Sequence, residues 1–318
     1  MFTLSAFADE ISPDPREQVE TLKASRVRFI EFRSIHKTNC LMLTDEQVKE
    51  FKKLIESEGI GLSAIGSPVG KVAIDADFHA HLDKLKRAIE LCGVFGTRGV
   101  RIFSFYPPGN DPNFDLANWP KYRDEVVRRM GAMADLAASS NVVLFHENEH
   151  RIYGDSPERV ADIFAQVKSP ALRAAYDAAN YTYGNYDPVA GWEKTKAYTT
   201  HFHIKDWKKG GHAAGHDYGV IAGTGDITII GPLTVFEAVI NGAQLRVIGS
   251  WQPIVDYRIV AAKSVAREIH SPVGSRASQI GRGEGRTLTC ARSSWIPKRL
   301  ASILELGTVS SKWAVSSW

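Results

Sequence analysis

Apolar positions in the first two thirds of the chain follow two alternating patterns. Short runs rich in β-branched and aromatic residues read as strands: FTLSAF (2–7), VRFIEFR (27–33), IGLSAIG (60–66), GVRIFSFY (99–106), NVVLFHE (141–147), LRAAYD (172–177) and YTTHFHIKD (198–206). Helical patterns lie between most of them. PREQVETLKAS opens with Pro15 at its first turn, behind Asp14 as cap. TDEQVKEFKKLIESEG pairs Thr44 with Gln47 at capping-box spacing, ends at Gly59, and carries an apolar stripe of Val48, Phe51, Leu54 and Ile55. FHAHLDKLKRAIELCGVFG has a stripe of Leu82, Leu85, Ile89 and Cys92; YRDEVVRRMGAMADLAASS and SPERVADIFAQV follow. Strand alternating with helix predicts βα units around a parallel sheet. Seven such strands favour a closed (β/α)8 barrel over a doubly wound open sheet. No GxGxxG follows the first strand, which removes the main support for a dinucleotide fold.

In a barrel, chemistry collects at the C-terminal ends of strands. The strand ends here are polar: Asp9 and Glu10; Glu31 and Arg33; Ser67; Ser104; His146, Glu147 and Glu149; Asp177 and Asn180; His201, His203, Lys205 and Asp206. Residues 146–150, HENEH, also spell the HExxH signature of zinc proteases. That signature needs a helix, where residues i and i+4 can share one metal. A strand places them about 13 Å apart. The preceding NVVLF is strand-like, and the next helix starts at Asp155 or Ser156 with Pro157 in its first turn. The protease reading therefore falls, and a polar loop without metal is the bland alternative. Against that alternative stand Asp177 on the next strand end and His201 and His203 on the one after. With a carboxylate from HENEH they make a mixed oxygen and nitrogen set suited to Mn, Mg, Co or Zn.

Composition narrows the class. Of 318 residues, 44% are hydrophobic and 24% charged, as in an ordinary globular protein, and no apolar run nears 18 residues, so no membrane partner is expected. The start, MFTLSAFADE, carries acids where a signal peptide would carry bases, and the three cysteines form no CxxC; a cytoplasmic location is the expectation. Charge is uneven. Residues 227–318 hold 11 Lys and Arg against 5 Asp and Glu, whereas residues 1–226 hold 28 against 31, a balance that disfavours nucleic acid as a partner of the barrel portion.

The motifs ADEIS, IEFR, AIGSPVGKV, RIFSFY, FHENE–IYGD–PERV, YDAAN, HFHIKD and AGTGD occur in this order over about residues 1–226. Together they resemble the xylose isomerase-like TIM barrels of the sugar phosphate isomerase/epimerase kind. The resemblance implies a divalent metal held by Glu147, Asp177 and His203, with Glu149 the weaker alternative to Glu147 and with His201 as support or barrel wall. It implies Glu147 as a catalytic acid/base, and Lys205 and Arg33 as contacts for a small sugar or sugar phosphate. For Lys205 a salt bridge with an acid is an equal reading. The implied chemistry is isomerisation or epimerisation through an enediolate. Alternatives are inosose dehydratase-like or abasic-site endonuclease-like chemistry, or a pseudoenzyme that binds metal or sugar without turnover. Relatives of this kind often form homo-oligomers.

The pattern departs from the family at two places. Ala178 follows Asp177 where the family commonly has Pro. The family's second glutamate belongs after the eighth strand, yet LRVIGSWQPIVD (245–256) offers Ser250, Trp251 and Gln252 there. The expectation is a barrel over 1–256, with 227–256 an atypical closing unit, and a basic tail over 257–318. Two readings fit the tail: an added basic segment, or residues after a change of reading frame, disordered in consequence. The second fits its Arg, Ser and Trp content better.

Overall fold

The computed structural model describes residues 2–207, 219–220 and 313–317. Eight strands close a barrel: β1 (Phe2–Ala6), β2 (Phe29–Phe32), β3 (Gly61–Ile65), β4 (Gly99–Ile102), β5 (Val143–Glu147), β6 (Leu172–Asp177), β7 (Thr199–Ile204) and β8 (Trp313–Ser317). Strands β1 to β7 run parallel in chain order. The eighth position is filled from the end of the chain by β8, which runs antiparallel to both neighbours, Phe2 opposite Ser317 and Ile204 opposite Trp313. A barrel leaves no sheet edge, and a strand of either direction satisfies the N–H and C=O groups along β1 and β7. The sequence expectation for a closing unit at 227–256 falls outside the described residues.

The helices are α1 (Pro15–Ala24), α2 (Asp45–Ser57), α3 (Phe78–Phe95), α4 (Arg123–Ser139), α5 (Pro157–Gln166), α6 (Ala178–Tyr183) and α7 (Pro188–Thr195). Their starts follow the chemistry of the sequence. Asp14 accepts from the Arg16 N–H, Thr44 and Gln47 form the capping box, and Ser156 rather than Asp155 caps α5 ahead of Pro157. On α2, Val48, Phe51 and Ile55 are buried and Leu54 packs beside them. On α3 the fully buried line is Phe78, His81, Leu85, Ala88, Leu91 and Cys92, whereas Leu82 and Ile89 are only partly covered. A long helix seated between two neighbours buries a wider face than one stripe.

The main core lies between the strands and these helices, built from residues such as Leu22, Ile30, Phe32, Val100, Ile102, Leu144, Leu172 and Tyr176. A second, small cluster joins Ala64, Phe145 and Ala175. Phe145 and Ala175 each lie two residues before a strand-end acid, Glu147 and Asp177, and alternation along a strand sets each pair on one face. His201, two residues before His203, stacks on Phe145 with ring centroids 4.6 Å apart and 14° between planes. These side chains form the floor beneath the polar strand ends. Among the described residues no helix is long and apolar enough to cross a membrane.

Candidate metal centre

Three adjacent strands carry the site. Glu147 ends β5, Asp177 ends β6, and His203 is the penultimate residue of β7. Asp177 stands directly opposite His203 in the ladder. All three side chains are fully buried. One ligand atom from each lies within 4.8 Å of the others. The His203 Nδ1 is 2.9 Å from Glu147 Oε1. Two carboxylates and an imidazole at this separation fit the mixed donor set of a divalent cation.

Neighbouring groups hold these three side chains in place. Asn148 ties β5 to β6 twice over: its Nδ2 donates to the Asp177 carbonyl at 2.8 Å, and the Asp177 N–H donates to its Oδ1 at 2.9 Å. Asp177 Oδ1 accepts from the Asn180 N–H at 2.9 Å and so caps α6. The Asn180 Nδ2 donates to Glu147 Oε1 at 3.2 Å and to the Asn148 carbonyl at 2.8 Å. Lys205 donates to Asn180 Oδ1 at 2.5 Å and lies 3.2 Å from Asp177 Oδ2. Burial opposes its charge, but Asp177, then Glu149 and Glu147, raise its pKa above the ordinary lysine value. The expected salt bridge of Lys205 to an acid is therefore present, and the acid is Asp177 rather than Asp206.

Two further charged residues complete the interior. The Arg101 guanidinium sits over the rings of Phe7 and Phe103 at 5.1 and 5.0 Å, with Nη1 3.4 Å from Glu147 Oε2. Glu31, fully buried on β2, accepts from His201 Nε2 at 2.7 Å and faces His203 Nε2 at 3.2 and 3.3 Å. Burial alone would raise the Glu31 pKa, yet the charges and hydrogen bonds of His203 and His201 hold it well below the usual carboxylate range. His201 moves down, because burial outweighs the pull of Glu31. Three carboxylates (Glu31, Glu147 and Asp177) thus share a buried space with two fixed cations, Arg101 and Lys205. Uncompensated buried charge is costly, and a bound divalent cation would meet the remaining carboxylate charge.

The other sequence candidates have different surroundings. Glu149 pairs with Lys71 at 3.1 Å and is not in the ligand cluster. Arg33 donates from Nε to Asp9 at 2.7 Å and from Nη2 to Glu10 at 3.1 Å, its guanidinium over Phe7. His146 lies in β5 beside Phe164, where burial lowers its pKa to about 3, and His150 packs edge-on to Tyr183. HENEH is thus a strand end and loop, and neither histidine joins the ligands. Sequence reasoning passed over Arg101, although an arginine inside the apolar run GVRIF was a visible signal. Glu31 was noted only as a polar strand end; nothing in the local sequence tied it to residues 201 and 203.

Residues 19–241 match the family model described as xylose isomerase-like TIM barrel, and the chain belongs to this family. The fold is similar to a probable 3-DHS dehydratase, AsbF, from Bacillus anthracis: TM-score 0.58, 18% identity, covering 78% of this chain and 92% of that one. It is also similar to a xylose isomerase-like TIM barrel protein from Mycobacterium smegmatis in complex with magnesium: TM-score 0.53, 18% identity, 71% and 78% covered. A third likeness is to the apo 3-keto-D-glucoside 4-epimerase YcjR from E. coli, with TM-score 0.51, 13% identity and coverage of 73% and 84%. At such identities the likeness is one of fold. No curated protein matches the chain.

Proposed function

We propose that this chain is a divalent-metal-dependent isomerase or epimerase of a sugar or sugar phosphate, working by proton transfer next to a carbonyl. The observation that carries this reading is the convergence of Glu147, Asp177 and His203 from three consecutive strand ends onto one buried point. The fold's neighbours include an epimerase and a magnesium-bound protein, which supports the reaction class and the metal.

Glu147, Asp177 and His203 would hold the cation. When bound, it polarises a carbonyl and offsets the negative charge of an enediolate. The remaining work falls to the chain. A proton on carbon beside a carbonyl is weakly acidic, and a carboxylate held close can remove it. Glu147 is the base in this reading, with Oε1 positioned by Asn180 and Oε2 facing Arg101. Lys205 supplies a charged donor to substrate oxygens from beside Asp177. Arg33 does so from just after β2, its orientation set by Asp9 and Glu10. Phe145 keeps the floor apolar, and Phe7 and Phe103 flank Arg101 just past the strand ends, which limits water around the carbanion-like state. The family's place for the second acid, 250–252, holds Ser250, Trp251 and Gln252 and lies outside the described residues, so no residue is assigned to return the proton.

The test is metal content and Mn2+ affinity of wild type and of Glu147→Gln, Asp177→Asn and His203→Ala, joined to α-proton exchange of ketoses and aldoses in deuterated water. Exchange by wild type and its loss in Glu147→Gln are expected. Metal binding that persists in all three variants would refute the ligand set. Tight metal binding with no exchange would make the chain a binding protein rather than an enzyme.

A further inference from the structure

Glu31 stands on β2, across the barrel from β5 and β6, and no reacting atom of the proposed mechanism touches it. Its carboxylate is fully buried, and its two described partners are both imidazole nitrogens: His201 Nε2 at 2.7 Å and His203 Nε2 at 3.2 Å, all on Oε2, with Oε1 3.3 Å from His203. An ionised carboxylate only accepts hydrogen bonds, so a nitrogen facing it must carry a proton. The opposite nitrogen of His203, Nδ1, lies 2.9 Å from Glu147 Oε1 and belongs to the ligand cluster. A metal ligand must present a bare lone pair. Both edges of the ring thus face a carboxylate, and a cation bound at Nδ1 would displace the proton there and leave Nε2 as the donor to Glu31.

We infer that Glu31 is a positioning residue, which keeps the His203 proton on Nε2 and so commits Nδ1 to the metal. This rests on the metal-binding reading above, for the proton's place as for its effect on affinity, because Nδ1 beside Glu147 gives up its own proton only to a cation. The ring has little freedom to turn. Phe7 meets it edge-on at 5.1 Å and 71°, and the His201 ring meets it at 5.1 Å and 86°. Glu31 is itself held by His201, which lies flat on Phe145. A connected stack thus runs from Phe145 through His201 and Glu31 to His203. Its function is to set the tautomer and angle of one ligand, as outer partners of metal-bound histidines do elsewhere. Glu31, His201 and His203 also bring ligand atoms within 4.8 Å of one another. Those atoms already satisfy each other by hydrogen bonds, and a cation there would have to displace them, so the group is read as support and not as a second metal site.

The experiment uses the full chain with 15N-labelled histidine, the His203 signals being assigned with His203→Gln. At pH 8 with Mg2+ bound, the wild type is expected to show a slowly exchanging proton on His203 Nε2 and none on Nδ1. Glu31→Gln, which replaces the charged acceptor by a neutral amide, is expected to exchange that proton faster. Mn2+ titration of the same proteins is expected to show one site, weakened about 10- to 100-fold in Glu31→Gln. A bare Nε2 in wild type, or an unchanged Kd in Glu31→Gln, overturns the inference while leaving the metal reading intact. Two Mn2+ per chain in wild type and one in the variant overturns it as well, making Glu31 a ligand. If the wild type takes up no metal, the functional reading fails and takes the inference with it, an outcome distinct from metal uptake that Glu31→Gln leaves unchanged. Should Glu31→Gln fail to fold, Glu31→Asp, which shortens the carboxylate's reach, takes its place in both measurements with the same expected outcomes.

Discussion

Lys205 Nζ lies 3.2 Å from Asp177 Oδ2, so a side-chain cation already sits against one of the carboxylates expected to hold a metal. Asp177 is fully buried and Lys205 largely so, which makes the pair a mostly desolvated one whose charges depend on each other. A divalent cation competes with it for the same charge. Lys205→Met is therefore expected to bind Mn2+ more tightly, by roughly 5- to 10-fold, corresponding to about 1 kcal/mol of released competition. Substrate KM should rise in the same variant. Calorimetric titration decides the sign: weaker metal binding would show that Lys205 supports the ligand geometry instead.

Asp177 has two tasks, and one substitution separates them. Asp177→Asn keeps an oxygen able to accept from the Asn180 N–H, so α6 retains its cap. It removes the charge that a hard cation needs. The variant is expected to unfold within about 1 kcal/mol of wild type, yet to lose metal affinity by at least about 100-fold. Urea unfolding and a Mn2+ titration on one preparation test this. Comparable affinity in both proteins would remove Asp177 from the ligand set.

Gly70 turns the loop after β3 at φ +91°, and a Cβ there would sit 1.9 Å from the Phe103 carbonyl oxygen. That obstacle is backbone, and it is tied down: Phe103 N–H donates to Val69 O at 2.8 Å, and Phe105 N–H to Gly70 O at 3.0 Å. Gly70→Ala is expected to destabilise the barrel by about 3 kcal/mol or more, through strain at positive φ together with the clash. A urea midpoint within error of wild type would contradict the loop geometry.

His81 gives stability a defined pH dependence. The ring is buried on α3, and its Nε2 accepts from the Gly70 N–H at 2.6 Å. Burial first, then Lys84 and Arg129, push its pKa down to about 4. Protonation would also set a donor against a donor. Because the folded pKa is depressed, the contribution is complete above the ordinary histidine value of about 6.5. It is lost as pH falls toward 4, where the unfolded chain binds the proton and the folded one does not. Between pH 7.5 and 5.0 the loss should be about 2 kcal/mol. His81→Gln, which keeps an acceptor that does not titrate, should lack this part of the slope. Equal slopes in the two proteins would reject it.

Much of the site was legible along the chain because strand ends in a βα repeat are predictable places. Glu147, Asp177 and His203 each follow an apolar run, and alternation with helices implies that those ends share one rim. The capping residues Asp14 and Thr44 were equally plain, since capping is a contact between residues two or three apart. What could not be read was any relation set by barrel closure. Glu31 and His203 are 172 positions apart and meet only because β2 and β7 face each other across the interior. Arg101 was visible as an arginine in an apolar run, but its contacts with Phe7 and Glu147 were not, for the same reason.

By itself, then, the sequence determined the repeating βα order and the five helices α1 to α5, because these rest on local periodicity and on backbone bonding between near neighbours; the three ligand candidates came from strand-end motifs read through the family resemblance. Only the tertiary structure decided which nitrogen of His203 faces the ligands, which acid Lys205 engages, and that the eighth barrel position is taken by an antiparallel strand at 313–317. Those are matters of distance across a closed sheet, where residues far apart in the chain compete for the same few buried charges.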